Sequence, residues 1–136
     1  MNELIVPMSI EELVIGNELF NDENITTLHF SPLLIRLKRI EIGDYECFKH
    51  VREFVIDGLE SLESVKIGGR CFIIDDEERD DGVCRITNCP NLRQLEIGGG
   101  SFRDFKSFEL SNLNSLQSIN FGISCFVFAE FSLKGE

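Results

Sequence analysis

Apolar residues in this chain alternate in short stretches, and the stretches recur. Leu62-x-x-Val65-x-Ile67-Gly68 reappears as Leu92-x-x-Leu95-x-Ile97-Gly98 and as Leu116-x-x-Ile119-x-Phe121-Gly122. Upstream it reads Ile10-x-x-Leu13-x-Ile15-Gly16 and Leu37-x-x-Ile40-x-Ile42-Gly43. A phenylalanine follows the glycine by four residues at Phe20, Phe72, Phe102 and Phe126, and by five at Phe48. A second stretch runs Leu28-x-Phe30-x-x-Leu33, Phe54-x-Ile56-x-x-Leu59, Cys84-x-Ile86-x-x-Cys89 and Phe108-x-Leu110-x-x-Leu113. Leu92 and Leu116 lie 24 residues apart, Leu37 and Leu62 lie 25 apart, and Leu62 and Leu92 lie 30 apart. A repeat of this length marks a solenoid, in which each unit is too small to bury its own apolar face and stacks on its neighbours to do so.

Spacing assigns a task to each position. Pairs such as Val65/Ile67 and Phe54/Ile56 follow the period of two that puts side chains on one face of a strand of about three to five residues. The glycine column follows the first strand directly, where the chain turns, and the spacing predicts a positive φ there. The Phe column fills the interior on the far side of the coil. No stripe of helical period lasts a dozen residues, so at most one helical turn fits between Phe48 and Phe54. The fold expected is mostly β: a short solenoid of about five coils of 24–30 residues with parallel short strands. It forms a single domain over 1–136, with units starting near 10, 37, 62, 92 and 116 and the last coil incomplete.

The string Ile42-Gly43-Asp44-Tyr45-Glu46-Cys47-Phe48, followed by Phe54-x-Ile56 and Leu62-x-x-Val65, resembles the BspA-type (treponemal-type) leucine-rich repeats. Their phrase runs I-G-x-x-A-F-x-x-C-x-x-L-x-x-I-x-I, and the resemblance extends from Ile10 to Leu133. Cys47, Cys71, Ser101 and Cys125 replace the small Ala before Phe, and Val51 or Phe105 stands where the family carries Cys. The resemblance implies a curved right-handed leucine-rich-repeat solenoid that serves as a recognition surface without catalysis of its own.

Charge narrows the choice of partner. Lys and Arg total 13 against 24 Asp and Glu, a formal charge of −11. Such a chain repels phosphate backbones and anionic surfaces, which argues against nucleic acid and lipid as partners. No run approaches the roughly 18 apolar residues of a membrane-inserting segment, and Met1 to Ile15 does not read as a secretory leader. The 5 cysteines are an odd number, too few for a disulfide scaffold, and favour a reducing interior. Cys47, Cys71 and Cys125 share a position beside the core Phe, while Cys84 and Cys89 occupy core columns, so packing as small apolar residues accounts for them. Neither Cys47-x-x-His50 nor Cys84 with Cys89 has a second pair at zinc spacing. No Lys-Ser/Thr follows Gly98-Gly99-Gly100-Ser101, so it does not read as a phosphate loop. No metal or cofactor is expected, and no nucleophile with a base beside it emerges.

Outward strand positions form two ladders: Val14, Glu41, Lys66, Glu96 and Asn120 on the first strands, and His29, Val55, Arg85, Glu109 and Ser132 on the second. A cation falls between two anions in the first, and Arg85 meets Glu109 in the second, as suits paired strands. The one long insertion holds Asp75, Asp76, Glu77, Glu78, Arg79, Asp80 and Asp81, an acidic loop with no calcium-hand spacing. The candidate interaction surface is therefore Glu41, Lys66, Glu96, Asn120, Arg85 and Glu109 with the loop residues Asp75 to Glu78. The expected function is a non-catalytic protein–protein interaction scaffold with a polar strand surface. The alternative is an assembly piece of a longer repeat protein that associates end to end through its apolar C-terminal coil, Cys125 to Leu133.

Overall fold

The computed structural model describes residues 6–73 and 82–126, and the backbone of 130–134. Ten strands succeed one another: β1 (Glu12–Ile15), β2 (Thr27–Phe30), β3 (Arg39–Ile42), β4 (Glu53–Asp57), β5 (Ser64–Ile67), β6 (Val83–Thr87), β7 (Gln94–Ile97), β8 (Ser107–Ser111), β9 (Ser118–Phe121) and β10 (Glu130–Lys134). There is no helix among the described residues. Odd-numbered strands form one sheet in the order β1-β3-β5-β7-β9, and even-numbered strands form the other in the order β10-β8-β6-β4-β2. All pairings are parallel. Each coil thus gives one strand to each sheet, and the chain is a short β-solenoid.

Register aligns the repeat positions. Leu13, Ile40, Val65, Leu95 and Ile119 pair in succession, as do Ile15, Ile42, Ile67, Ile97 and Phe121. On the second sheet Leu28, Phe54, Cys84 and Phe108 align. Strand residues alternate between buried and outward, and the buried ones from both sheets belong to one core. Phe108 of β8 meets Phe121 of β9 with ring centroids 5.4 Å apart, so the sheets face each other across that core.

The Phe column is a continuous stack. Phe20, Phe48, Phe72, Phe102 and Phe126 lie nearly parallel, with successive centroids 5.1, 5.1, 4.6 and 5.1 Å apart. Those separations exceed face-to-face contact, so the rings are offset, the arrangement that aromatic quadrupoles prefer. All five residues adopt φ between 51° and 61°, which costs a bulky side chain energy. Stacking offsets that cost. The left-handed turn also aims the Phe N–H back at the preceding coil: Phe72 donates to the Cys47 carbonyl at 2.9 Å and Phe102 to the Cys71 carbonyl at 3.1 Å. Two residues earlier, Arg70 donates forward to the Gly99 carbonyl and Gly100 to that of Ile123, both at 2.9 Å. The corner therefore hydrogen-bonds in both directions along the solenoid axis.

Three expectations change. None of Gly16, Gly43, Gly68, Gly98 and Gly122 has a positive φ; the left-handed residues lie two positions on, at Glu18, Tyr45, Arg70, Gly100 and Ser124, and at the Phe itself. Glycine is required in the column because the coils come too close for a side chain. A Cβ on Gly98 would lie 2.5 Å from the Gly69 nitrogen and 2.6 Å from the Gly68 carbonyl carbon, and one on Gly68 would lie 2.8 Å from the Gly43 carbonyl carbon. Secondly, Leu34 (3% exposed) and not Leu33 (64%) holds the core column of the first coil. An extra residue in the Ser31-Pro32-Leu33 turn shifts the register by one. Thirdly, the residue before Phe does more than pack. Cys47 Sγ donates to the Gly16 carbonyl at 3.3 Å, Cys71 Sγ to Gly43 at 2.9 Å, Ser101 Oγ to Gly68 at 2.6 Å and Cys125 Sγ to Gly98 at 3.1 Å. This column ties each coil to the glycine of the one before.

Candidate functional site

The outer face of the first sheet is built from residues that alternation turns away from the core. Parallel pairing aligns Val14, Glu41, Lys66, Glu96 and Asn120 in one ladder, and Glu12, Arg39, Ser64, Gln94 and Ser118 in the next. Arg39 bridges Glu12 and Glu41 at 3.3 Å each. Lys66 is flanked in register by Glu41 and Glu96 but makes no ion pair among the described residues, so its ammonium is available to solvent and partners.

Beside this ladder the glycine column leaves the surface bare. Gly68, Gly69, Gly98 and Gly122 floor a shallow trough of about 350 Å³, lined also by Asp44, Lys66, Glu96 and Asn120. The trough follows directly from the steric rule of the fold, since no side chain fits where the backbones of successive coils meet. Its wall is fixed by a side-chain ladder. Asn17 Oδ1 accepts from the Asp44 N–H and Asp44 Oδ1 from the Gly69 N–H, both at 2.8 Å. The sequence signal for this feature was the doublets Gly68-Gly69 and Gly98-Gly99, whose second glycine the strand pattern did not explain.

The second sheet presents a different surface. His29, Val55, Arg85, Glu109 and Ser132 align in register, and Arg85 Nε donates to Glu109 Oε1 at 3.1 Å. His29 Nε2 lies 3.2 Å from Glu53 Oε1. At the end of these strands Asp57 Oδ1 accepts from Thr87 Oγ1 at 2.9 Å and Asn88 Nδ2 at 2.8 Å, and Asn112 Nδ2 donates to Asn88 Oδ1 at 2.7 Å. Asn88 and Asn112 take left-handed φ at the place where Gly58 stands one coil earlier, a conformation Asn tolerates.

The candidate residues therefore fall into separate groups. Glu41, Lys66, Glu96 and Asn120 share one face. Arg85 and Glu109 share the opposite face, because the two sheets pack core to core. Asp75, Asp76, Glu77 and Glu78 lie outside the described residues, as does most of the segment Cys125 to Leu133 apart from Cys125, Phe126 and the backbone of β10.

Cysteine chemistry follows from burial. Desolvation pushes the Cys71 thiol up to about 12 and holds those of Cys84, Cys89 and Cys125 above the ordinary thiol range. These groups stay protonated, and Cys71, Cys89 and Cys125 donate their protons to backbone carbonyls, the opposite of the exposed, low-pKa thiolate a nucleophile needs. All five cysteines are free. Among the described residues no three His, Cys, Asp or Glu side chains gather into a set able to hold a metal ion. No helix of the described structure is long and apolar enough to cross a membrane. No protein-family model, curated protein or solved structure matches this chain.

Proposed function

We propose that the chain is a non-catalytic protein–protein interaction scaffold of the leucine-rich-repeat kind, BspA-type, which meets its partner with the outer face of the first sheet. The observation that carries this reading is the juxtaposition of Lys66, which makes no ion pair among the described residues and is set between Glu41 and Glu96, with the glycine-floored trough lined by Asp44 and Asn120. A rigid ladder at strand spacing of about 4.8 Å offers a partner fixed charges at low ordering cost. The trough admits a protruding side chain or backbone segment against bare peptide. Both features supply specificity through complementary charge, with a like-charged partner rejected.

The test reverses the ladder with Glu41→Lys, Lys66→Glu and Glu96→Lys in one chain. Loss of a partner captured from the chain's own cell extract, with an unchanged melting temperature, supports the reading. Retention of that partner by the reversed ladder, with loss when Arg85 and Glu109 are exchanged, would move the surface to the opposite sheet.

A further inference from the structure

Two backbone N–H groups beside the trough lack the acceptor that their equivalents have, and we propose that through them the trough binds a side-chain carboxamide of its partner, an Asn or a Gln. The proposal rests on the reading of this face as an interaction surface and names the chemical group that the surface takes.

Register brings Asn17, Asp44, Gly69, Gly99 and Ile123 into one column, two residues beyond the paired row Ile15, Ile42, Ile67, Ile97 and Phe121. In the early coils each N–H of this column donates to the side chain one coil before. The Asp44 N–H donates to Asn17 Oδ1 and the Gly69 N–H to Asp44 Oδ1, both at 2.8 Å. The next two steps have no such acceptor, because Gly69 and Gly99 have no side chain. The N–H groups of Gly99 and Ile123 donate to nothing among the described residues, and both residues are exposed. By the same register the Gly99 N–H faces the space beside Gly69 and Gly98, which line the trough. One coil earlier the equivalent niche, in front of Gly68, is filled by Asp44 Oδ1.

The described fold does not ask for glycine at these two positions. Neither Gly69 nor Gly99 has a positive φ, and a Cβ on either would come no nearer to another coil than 3.3 Å, from the next carbonyl oxygen, which a shift of a few tenths of an ångström relieves. Asn17, Asp44 and Ile123 carry side chains in the same column. What glycine does there is leave the following N–H open.

Charge and pairing select the group. Lys66 is the one cation lining the trough, against the carboxylates of Asp44 and Glu96, so an anionic oxygen seated on the Gly99 N–H meets repulsion from Asp44 one coil away. A carboxamide does not, because its oxygen accepts from Gly99 while its NH2 donates to Asp44. The opposite sheet makes this arrangement from the chain's own residues. Asn88 Nδ2 donates to Asp57 Oδ1 at 2.8 Å and Asn112 Nδ2 to Asn88 Oδ1 at 2.7 Å. At the spacing of these coils an amide therefore joins a carboxylate on one side and a second amide on the other. The Ile123 N–H offers the place for that second amide.

Proton–nitrogen correlation NMR of the whole chain tests this with two peptides that differ only in the side-chain group, acetyl-Gly-Asn-Gly-amide and acetyl-Gly-Asp-Gly-amide. The Asn peptide should move the Gly99 amide proton downfield and saturate, with the Asp peptide about tenfold weaker, as like charge at the niche requires. Gly69→Ala keeps this response, because it adds no acceptor. Gly69→Asn removes it, since its own Oδ1 takes the Gly99 N–H as Asn17 takes that of Asp44, and its Gly99 proton is already downfield in the free chain. A Gly99 resonance that neither peptide moves, that both move equally, or that the Asp peptide moves more, overturns the proposal. The ladder reading fails separately: a partner lost on ladder reversal but held by Gly69→Asn keeps the interaction surface and overturns the carboxamide niche, whereas the expected Gly99 response beside a partner that survives ladder reversal keeps the niche and overturns the ladder.

Discussion

Replacing Gly98 by alanine adds one methyl where three backbone atoms already stand close. Its Cβ would lie 2.5 Å from the Gly69 nitrogen, 2.6 Å from the Gly68 carbonyl carbon and 2.9 Å from the Gly68 oxygen. All three belong to the backbone, so no flexible side chain can swing aside, and two coils must separate by several tenths of an ångström or more. Overpacking costs about 1–3 kcal/mol, and rigid neighbours put this site toward the upper end. Against it stands the gain of about 0.4–1 kcal/mol from a less flexible unfolded chain. The net is about 2 kcal/mol of destabilisation, a fall in melting temperature of about 6–8 °C at this chain length. Gly16→Ala carries the same unfolded-state gain with no collision, so its melting temperature rises by about 1–3 °C. Thermal unfolding followed by circular dichroism reads both. Equal shifts at the two glycines, or a neutral Gly98→Ala, would refute the claim that glycine is there for close stacking.

Other positions give sharper local tests. Ser101→Ala strands the Gly68 carbonyl and removes the acceptor of the Cys71 N–H, 2.9 Å away, at a cost of about 2–3 kcal/mol in urea unfolding; Ser101→Cys recovers most of it, because Cys125 makes the same bond from the next coil. Phe72→Ala opens the ring stack between Phe48 and Phe102 and costs about 3–5 kcal/mol by the same measurement. Alkaline pH weakens the fold: the native thiols of Cys71, Cys84, Cys89 and Cys125 hold their protons above the ordinary thiol pKa of 9.0, so the unfolded chain loses protons first. That stability is fully present below pH 9.0 and is lost above it, for Cys71 up to about 12. Urea midpoints should fall from about pH 8 to about pH 10, and Cys71→Ser should lessen the fall.

Much of this architecture could be read from the sequence because each inward position stays apolar, and the column after the first strand stays glycine, coil after coil. The two strands per coil, their four or five residues and the order of the outward ladders all follow from period-two alternation repeated in register. What escaped the reading depended on distance between coils, which a linear pattern does not contain. Glycine before a turn suggests conformational freedom, and only the approach of Gly69 to Gly98 shows that space is the constraint. Cysteine beside phenylalanine looks like a small filler until its sulfur is found 2.9 Å from a carbonyl. Leu33 and Leu34 are adjacent and chemically identical, so only the turn geometry decides which is buried. The outward ladders were legible as ladders, but their division onto opposite faces depends on how the two sheets pack. The trough left only the glycine doublets as a trace, because its floor has no side chains to form a pattern.

The central claim is that successive coils stack in register, one residue type above another. Nuclear Overhauser contacts between methyl groups test it most directly in solution. The account predicts an unbroken chain of contacts from Ile40 to Val65 to Leu95, and a parallel one from Ile42 to Ile67 to Ile97. Methyl contacts displaced by one residue along either row, or absent between neighbouring coils while contacts within each coil persist, would contradict it.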